Sequence, residues 1–176
     1  EINIIGQDIS GYGLDLYGSL KLVGLISKII KVTPKIGWVR LLYLNPKRIS
    51  DELLKVIRDE PRVCKYIDLP IQHINDRILK LMNRQVTKKE ILSLIDKVRK
   101  AVPGVAIRTS VIVGFPSETD KEFRELLEFI KEAKFERLGA VTYSREEDTP
   151  AYGFKGQIPK KIKSERFNLV MSNQQL

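Results

Sequence analysis

Five short apolar runs punctuate the chain at intervals of roughly 28 to 40 residues, and amphipathic helical patterns fill most of the intervals. The runs are Ile2–Gly6, Trp38–Leu44, Tyr66–Gln72, Ala106–Gly114 and Arg137–Tyr143. They are rich in Ile, Val, Leu and Tyr. Most are too short for helices and too continuously apolar for a sheet wetted on one face. That rhythm marks parallel βα repeats joined by right-handed crossovers. Five strands do not close an eight-stranded barrel. The expected fold class is therefore α/β: a partial, open parallel βα barrel or a doubly wound sheet, lacking a first strand.

The intervening helices carry their own signals. Tyr17–Val32 reads as one helix, with Leu20, Val23, Ile26, Ile29 and Ile30 on its apolar face. Ser50–Asp59 opens on Ser50 as N-cap. Asn75–Arg84 repeats the pattern with Ile78, Leu79 and Met82. Thr87–Ala101 begins with capping-box spacing, Thr87 to Glu90, and Thr119–Lys134 buries Phe123, Leu126, Leu127 and Ile130. After Pro150 the pattern weakens. Residues 1–152 read as the core, and 153–176 as a basic connector and a helix, Lys163–Leu176, leading towards another domain.

Composition removes several classes of function. At 43% hydrophobic and 30% charged the chain is globular, and its 176 residues suffice for one domain. No apolar run reaches the ~18 residues of a membrane helix, and nothing resembles a signal peptide, so no membrane partner is expected. One cysteine, Cys64, makes no internal disulfide, which fits the cytoplasm, and it sits in a pattern expected to bury it as a small hydrophobe. Lys and Arg outnumber Asp and Glu by 31 to 22, which suits a polyanionic partner such as RNA or a ribosome. Many of these cations, among them Lys28, Lys31, Lys80, Arg84, Lys97, Arg99 and Lys100, fall on helix faces where charge ordinarily only solvates. The chain opens with Glu1 in a strand-like run and without an initiator Met, so it reads as a fragment.

Ligands of parallel βα folds bind at the carboxyl ends of the strands. Those ends carry Gly6-Gln7-Asp8; Tyr43, Asn45 and Pro46; Asp68 through His73; Arg108-Thr109-Ser110 and Gly114 through Thr119; and Tyr143 through Glu147. Plainer roles stand beside a binding role. Gly114-Phe115-Pro116 could be only a strand-to-helix turn with Thr119 as cap. Asp8 could cap its own turn, and His73, the single histidine, could cap a helix or fill space. No acidic or cysteine neighbour at ligand spacing gives His73 a metal role. Asp68, within an apolar strand, must be paired or wet. Phosphate-loop, G-x-G-x-x-G and serine-elbow motifs are absent.

Taken in order, these strand ends resemble the radical S-adenosylmethionine (SAM) domain of the methylthiotransferases over nearly the whole chain. Ile4-Ile5-Gly6-Gln7-Asp8 is similar to that family's second strand, Leu69-Pro70-Ile71-Gln72 to its fourth, and Ile112-Val113-Gly114-Phe115-Pro116-Ser117-Glu118-Thr119 to its fifth. Ser117 stands where the family usually has glycine, so the turn is expected to manage without free access to positive φ. Asp8 and His73, and the stretch Trp38–Pro46, resemble the RimO-type branch, which acts on ribosomal protein S-12. The tRNA adenosine branch, MiaB-like, and a non-catalytic RNA- or ribosome-binding βα module are the alternatives.

The resemblance implies a radical SAM fold missing its first strand and cluster loop. It implies a C-x-x-x-C-x-x-C motif upstream of Glu1, two 4Fe-4S clusters in the full-length enzyme with none ligated here, and a TRAM domain following Leu176. It implies a SAM-derived radical that takes hydrogen from the β-carbon of an aspartate, followed by methylthio transfer. On its own the fragment would be inactive. By chemistry, Gly6, Gln7 and Asp8 would meet the methionine part of SAM, and Gln72 the ribose hydroxyls. Arg108 would take the SAM carboxylate or the substrate aspartate. Val113, Gly114 and Phe115 would form an adenine shelf with backbone groups reading the ring edge, and Tyr43, Tyr143 and Ser144 would line the substrate mouth. No metal ligand is expected within the chain, and the partners expected are ribosomal protein S-12 or the small subunit, with RNA on the basic faces.

Overall fold

The computed structural model describes residues 1–174. Among them are five strands and seven α-helices in βα order: β1 (Ile2–Ile4), α1 (Leu14–Tyr17), α2 (Leu22–Val32), β2 (Val39–Leu41), α3 (Asp51–Asp59), β3 (Tyr66–Asp68), α4 (Asp76–Leu81), α5 (Lys88–Ala101), β4 (Ala106–Val113), α6 (Asp120–Ala133), β5 (Arg137–Thr142) and α7 (Lys160–Gln174). The fold class is α/β with parallel ladders, and among the described residues no barrel closes.

The chain forms two compact units, Glu1–Pro70 with Ser93–Arg108, and Ile71–Leu92 with residues from Thr109 onward. In the first, β1 pairs parallel with β2, Ile2 opposite Val39 and Ile4 opposite Leu41. A parallel bridge joins Val39 to Val63, and β3 pairs parallel with the opening residues of β4, Tyr66 opposite Ala106. Val39, Leu41, Leu53, Leu54, Ile57, Ile67 and Ile107 are buried, as their positions on strands and on one helical face require. In the second unit Gln72 bridges to Val111, and the Tyr143 N–H donates to the Val113 carbonyl (2.9 Å). Val111, Val113, Leu126 and Ile130 form its core, and Arg166 and Val170 of α7 are buried there too.

Capping chemistry behaves as the sequence implies. Ser50 accepts from the Leu53 N–H, and the Thr87–Glu90 capping box forms, Glu90 accepting from the Thr87 N–H (2.7 Å). Thr119, expected only as a cap, heads a second box, with Glu122 accepting from its N–H (2.8 Å). Two expectations need correction. Tyr17–Val32 is not one helix, because Gly18 turns left-handed (φ 63°) and ends α1 before α2 begins. The strands are also shorter than their apolar runs: β2 ends at Leu41 and β3 at Asp68, ahead of the left-handed residues Tyr43 (φ 59°) and Gln72 (φ 70°).

Candidate functional site

Three strand ends turn through a left-handed residue: Tyr43 after β2, Gln72 after β3 and Gly114 (φ 71°) after β4. Left-handed backbone costs a side chain-bearing residue about 1–2 kcal/mol. Tyr43 and Gln72 therefore hold a strained conformation where a parallel fold presents its ligand-binding residues.

In the first unit Gly6, Gln7 and Asp8 line a hollow of about 790 Å³ together with Ile9, Tyr12 and Arg48. The Asp8 carboxylate is engaged on both oxygens, by the Ser10 hydroxyl and by Arg48. Sequence reasoning missed Arg48, which lies 40 residues away. Arg108 and Tyr43 do not line this hollow; they meet instead at Asp68. Arg108 donates to Asp68 (2.7 Å), whose other oxygen accepts the Tyr43 N–H (3.1 Å). Asp68 is 1% exposed, so it is the paired alternative, and its charge-assisted hydrogen bond raises the Arg108 pKa.

In the second unit Gln72, Phe115, Tyr143 and Ser144 line a hollow of about 550 Å³, with Arg84, Ile112, Glu146 and Thr149. Phe115 meets Tyr143 edge-on (centroids 5.1 Å) and Phe154 likewise (6.1 Å). The Tyr143 hydroxyl is buried without a hydrogen-bond partner. Val113 and Gly114, expected in the same shelf, are not among the residues lining this hollow. A Cβ on Gly114 would stand 2.5 Å from Lys163 Cγ, so only glycine fits beside that stem. The amides of Gly114 and Phe115 both donate to the buried carboxylate of Glu118, so they face that carboxylate rather than a ligand. Burial pushes the Glu118 carboxyl up, against the pull of Arg166 and the two amides. Arg166 reaches Glu118 from α7 (3.3 Å) and pairs with Asp120 (2.7 Å). No apolar periodicity in α7 announces this buried arginine.

Ser117 corrects an expectation: it does enter positive φ (65°). Arg77 holds it there, donating to its hydroxyl (3.1 Å) and its carbonyl (2.8 Å), while its own N–H donates to the Gly156 carbonyl (2.8 Å). His73 is fully buried, and its Nδ1 accepts from the N–H of Asn75, the N-cap of α4. Burial lowers its pKa to about 4, so the ring is neutral at pH 7.

A sequence profile described as "Radical SAM superfamily" matches residues 10–130. This chain belongs to the radical SAM superfamily. Its sequence is similar to "Ribosomal protein uS12 methylthiotransferase RimO" of Geotalea uraniireducens, at 51% identity over 99% of this chain and 39% of that protein. It is similar to the protein of that name in Carboxydothermus hydrogenoformans, at 49% identity over 99% of this chain and 40% of the other. The chain thus spans about two fifths of the length of these relatives. Radical SAM folds of low identity also match. Coproporphyrinogen III oxidase (HemN) of Escherichia coli has a TM-score of 0.65 at 18% identity, over 85% of this chain and 35% of that one. The archaeal Elp3 of Methanocaldococcus infernus has a TM-score of 0.63 at 15% identity, over 98% of this chain and 43% of that one.

Radical SAM chemistry needs an iron–sulfur cluster held by three or four thiolates. This chain has one cysteine, and among the described residues no group of three His, Cys, Asp or Glu could hold a metal. Cys64 is half-buried and its thiol pKa is raised by burial, the reverse of what a ligand thiolate needs. The residues present therefore do not fit the cluster. They do fit the nucleoside of SAM: the second hollow offers the Phe115 ring and the Gln72 amide, in a volume suited to a small ligand.

Proposed function

We propose that this chain is the SAM-binding portion of an enzyme that adds a methylthio group to the β-carbon of an aspartate in ribosomal protein uS12. The observation carrying this reading is the match to relatives of that activity, near 50% identical across 99% of the chain. SAM, with an iron–sulfur cluster that these residues do not ligate, would supply the radical and methyl chemistry. What the chain supplies is position and exclusion of water.

The second hollow takes the adenosine half. Phe115, preceded by Val113 and Gly114, forms the adenine shelf, and the Gln72 amide serves the ribose hydroxyls as donor and acceptor. The backbone N–H groups of the shelf stay with Glu118, so recognition rests on the ring face and side chains. Tyr143 and Ser144 border the space for the protein substrate, and Tyr43 is assigned to the substrate in the first unit. Also in the first unit, Gly6, Gln7 and Asp8 suit an α-ammonium group: each Asp8 oxygen keeps a second lone pair beyond Ser10 and Arg48. Arg108 retains donors beyond the one given to Asp68 and suits an α-carboxylate. The excess of cations suits a ribosomal setting through RNA phosphates, and a cytoplasmic location follows from that substrate.

The test is to incubate the intact, cluster-loaded enzyme with SAM, reductant and uS12, then map the products by mass spectrometry. A methylthio group replacing one hydrogen on an aspartate of uS12 is expected. Modification of a tRNA adenosine with uS12 untouched would contradict the reading.

A further inference from the structure

The cation left without a partner in the second hollow is Arg84, which the sequence placed on a solvated helix face. It is half-buried and stands just past α4, where Asn83 turns left-handed (φ 55°) and the Arg84 N–H returns to the Leu79 carbonyl (2.8 Å). That turn directs the residue to the wall of the hollow rather than along the helix face. Among the described residues no carboxylate lies within ion-pair distance of its guanidinium. Glu146 lines the same hollow and forms no ion pair with it. Burial lowers the Arg84 pKa with no compensating charge. A partly desolvated guanidinium without an anion is costly unless a ligand brings one. The contrast is Arg108, whose guanidinium already donates to Asp68. The lining shared with Arg84 includes apolar Met82, Ile112, Phe115 and Val141 beside polar Gln72, Ser144 and Thr149, so an arriving anion would be less hydrated there than in bulk water and would pair more strongly with the guanidinium.

We propose that Arg84 is the carboxylate anchor of the acceptor aspartate, and hence a specificity-determining residue of this enzyme. The proposal rests on the function read above. It follows from where the reacting atoms must meet. With the adenosine half held by Gln72 and Phe115, the ribose 5′-carbon and the substrate β-carbon must come within about 3–3.5 Å. The aspartate carboxylate is bonded directly to that β-carbon. A carboxylate anchor must therefore stand in the hollow that holds the ribose, and Arg84 is the lining residue with the charge and fork geometry to do it. SAM carries a carboxylate too, but on its methionine half, away from the ribose.

The test uses the cluster-loaded enzyme and a labelled uS12 peptide containing the acceptor aspartate. Arg84→Gln removes the charge and keeps much of the bulk; Arg84→Lys keeps the charge and serves if the first variant fails to fold. Peptide affinity is expected to fall at least tenfold in Arg84→Gln, with SAM affinity changed less than about threefold and the peptide effect partly recovered in Arg84→Lys. A peptide with asparagine at the acceptor position should bind wild type and Arg84→Gln alike. Loss of SAM affinity with peptide binding intact would assign the carboxylate to SAM and overturn the proposal. Equal binding of the aspartate peptide by both proteins would overturn the anchor alone. A wild type that binds SAM but not the peptide would overturn the function reading itself.

Discussion

Buried polar residues in this chain divide into those that are satisfied and those that are poised. Asp68 is satisfied by Arg108 and the Tyr43 amide. Glu118 is satisfied on Oε2 by the amides of Gly114 and Phe115, while its Oε1 is buried without a hydrogen bond, 3.3 Å from Arg166. His73 is satisfied on Nδ1 only; its Nε2 is buried without a partner. Burial is the largest influence on its pKa, lowering it from 6.5 to about 4, with Glu122 and Glu125 raising it and Arg166 and Arg77 lowering it. Because the folded pKa lies below the unfolded one, the contribution of neutral His73 is fully present above pH 6.5 and is lost as pH falls towards 4. Its full size is about 3 kcal/mol. Glu122, held at about 2 chiefly by Arg77, loses its own contribution only below its ordinary value of 4.5. The window from pH 6.5 to 4.5 therefore belongs to His73 between these two. Urea unfolding across it should show stability falling with acid in the wild type and a flatter profile in His73→Gln; equal slopes would contradict the assignment.

At the scale of elements, local sequence chemistry decides where helices begin, and left-handed residues follow the ends of β2 and β3. The Thr119–Glu122 box starts α6 immediately after the Gly114–Glu118 turn, so the cap also fixes that turn's exit. Thr119→Ala should cost about 1 kcal/mol in urea unfolding with an unchanged denaturant slope; a loss of only a few tenths would mean the box contributes nothing here. The Thr87–Glu90 box, the Ser50 and Thr119 caps and the five strands were legible because each shows in neighbouring residues of the sequence. The positive φ of Ser117 was not, because it rests on Arg77, 40 residues away. For the same reason Arg108 looked available when Asp68 holds it, and Arg84 looked solvated when it lines a hollow. A side chain's type shows in the sequence; its partner across the fold does not.

At the scale of the molecule, the chain lacks the thiolates for the cluster, and its second unit carries a hollow of a size suited to a small ligand. The two compact units each carry a hollow lined by residues that the strand-end argument selects. The shared motifs explain why the family was legible from sequence, while the engagement of Gly114 and Phe115 by Glu118 needed coordinates. The most direct measurement is the dissociation constant of the unreactive analogue S-adenosylhomocysteine in the cluster-loaded enzyme, for wild type and Phe115→Ala. Removing the shelf should weaken binding at least tenfold, about 1.4 kcal/mol, while the cluster's absorbance stays the same. Unchanged affinity in a folded, cluster-loaded variant would mean that the hollow beside Phe115 is not where the nucleoside binds.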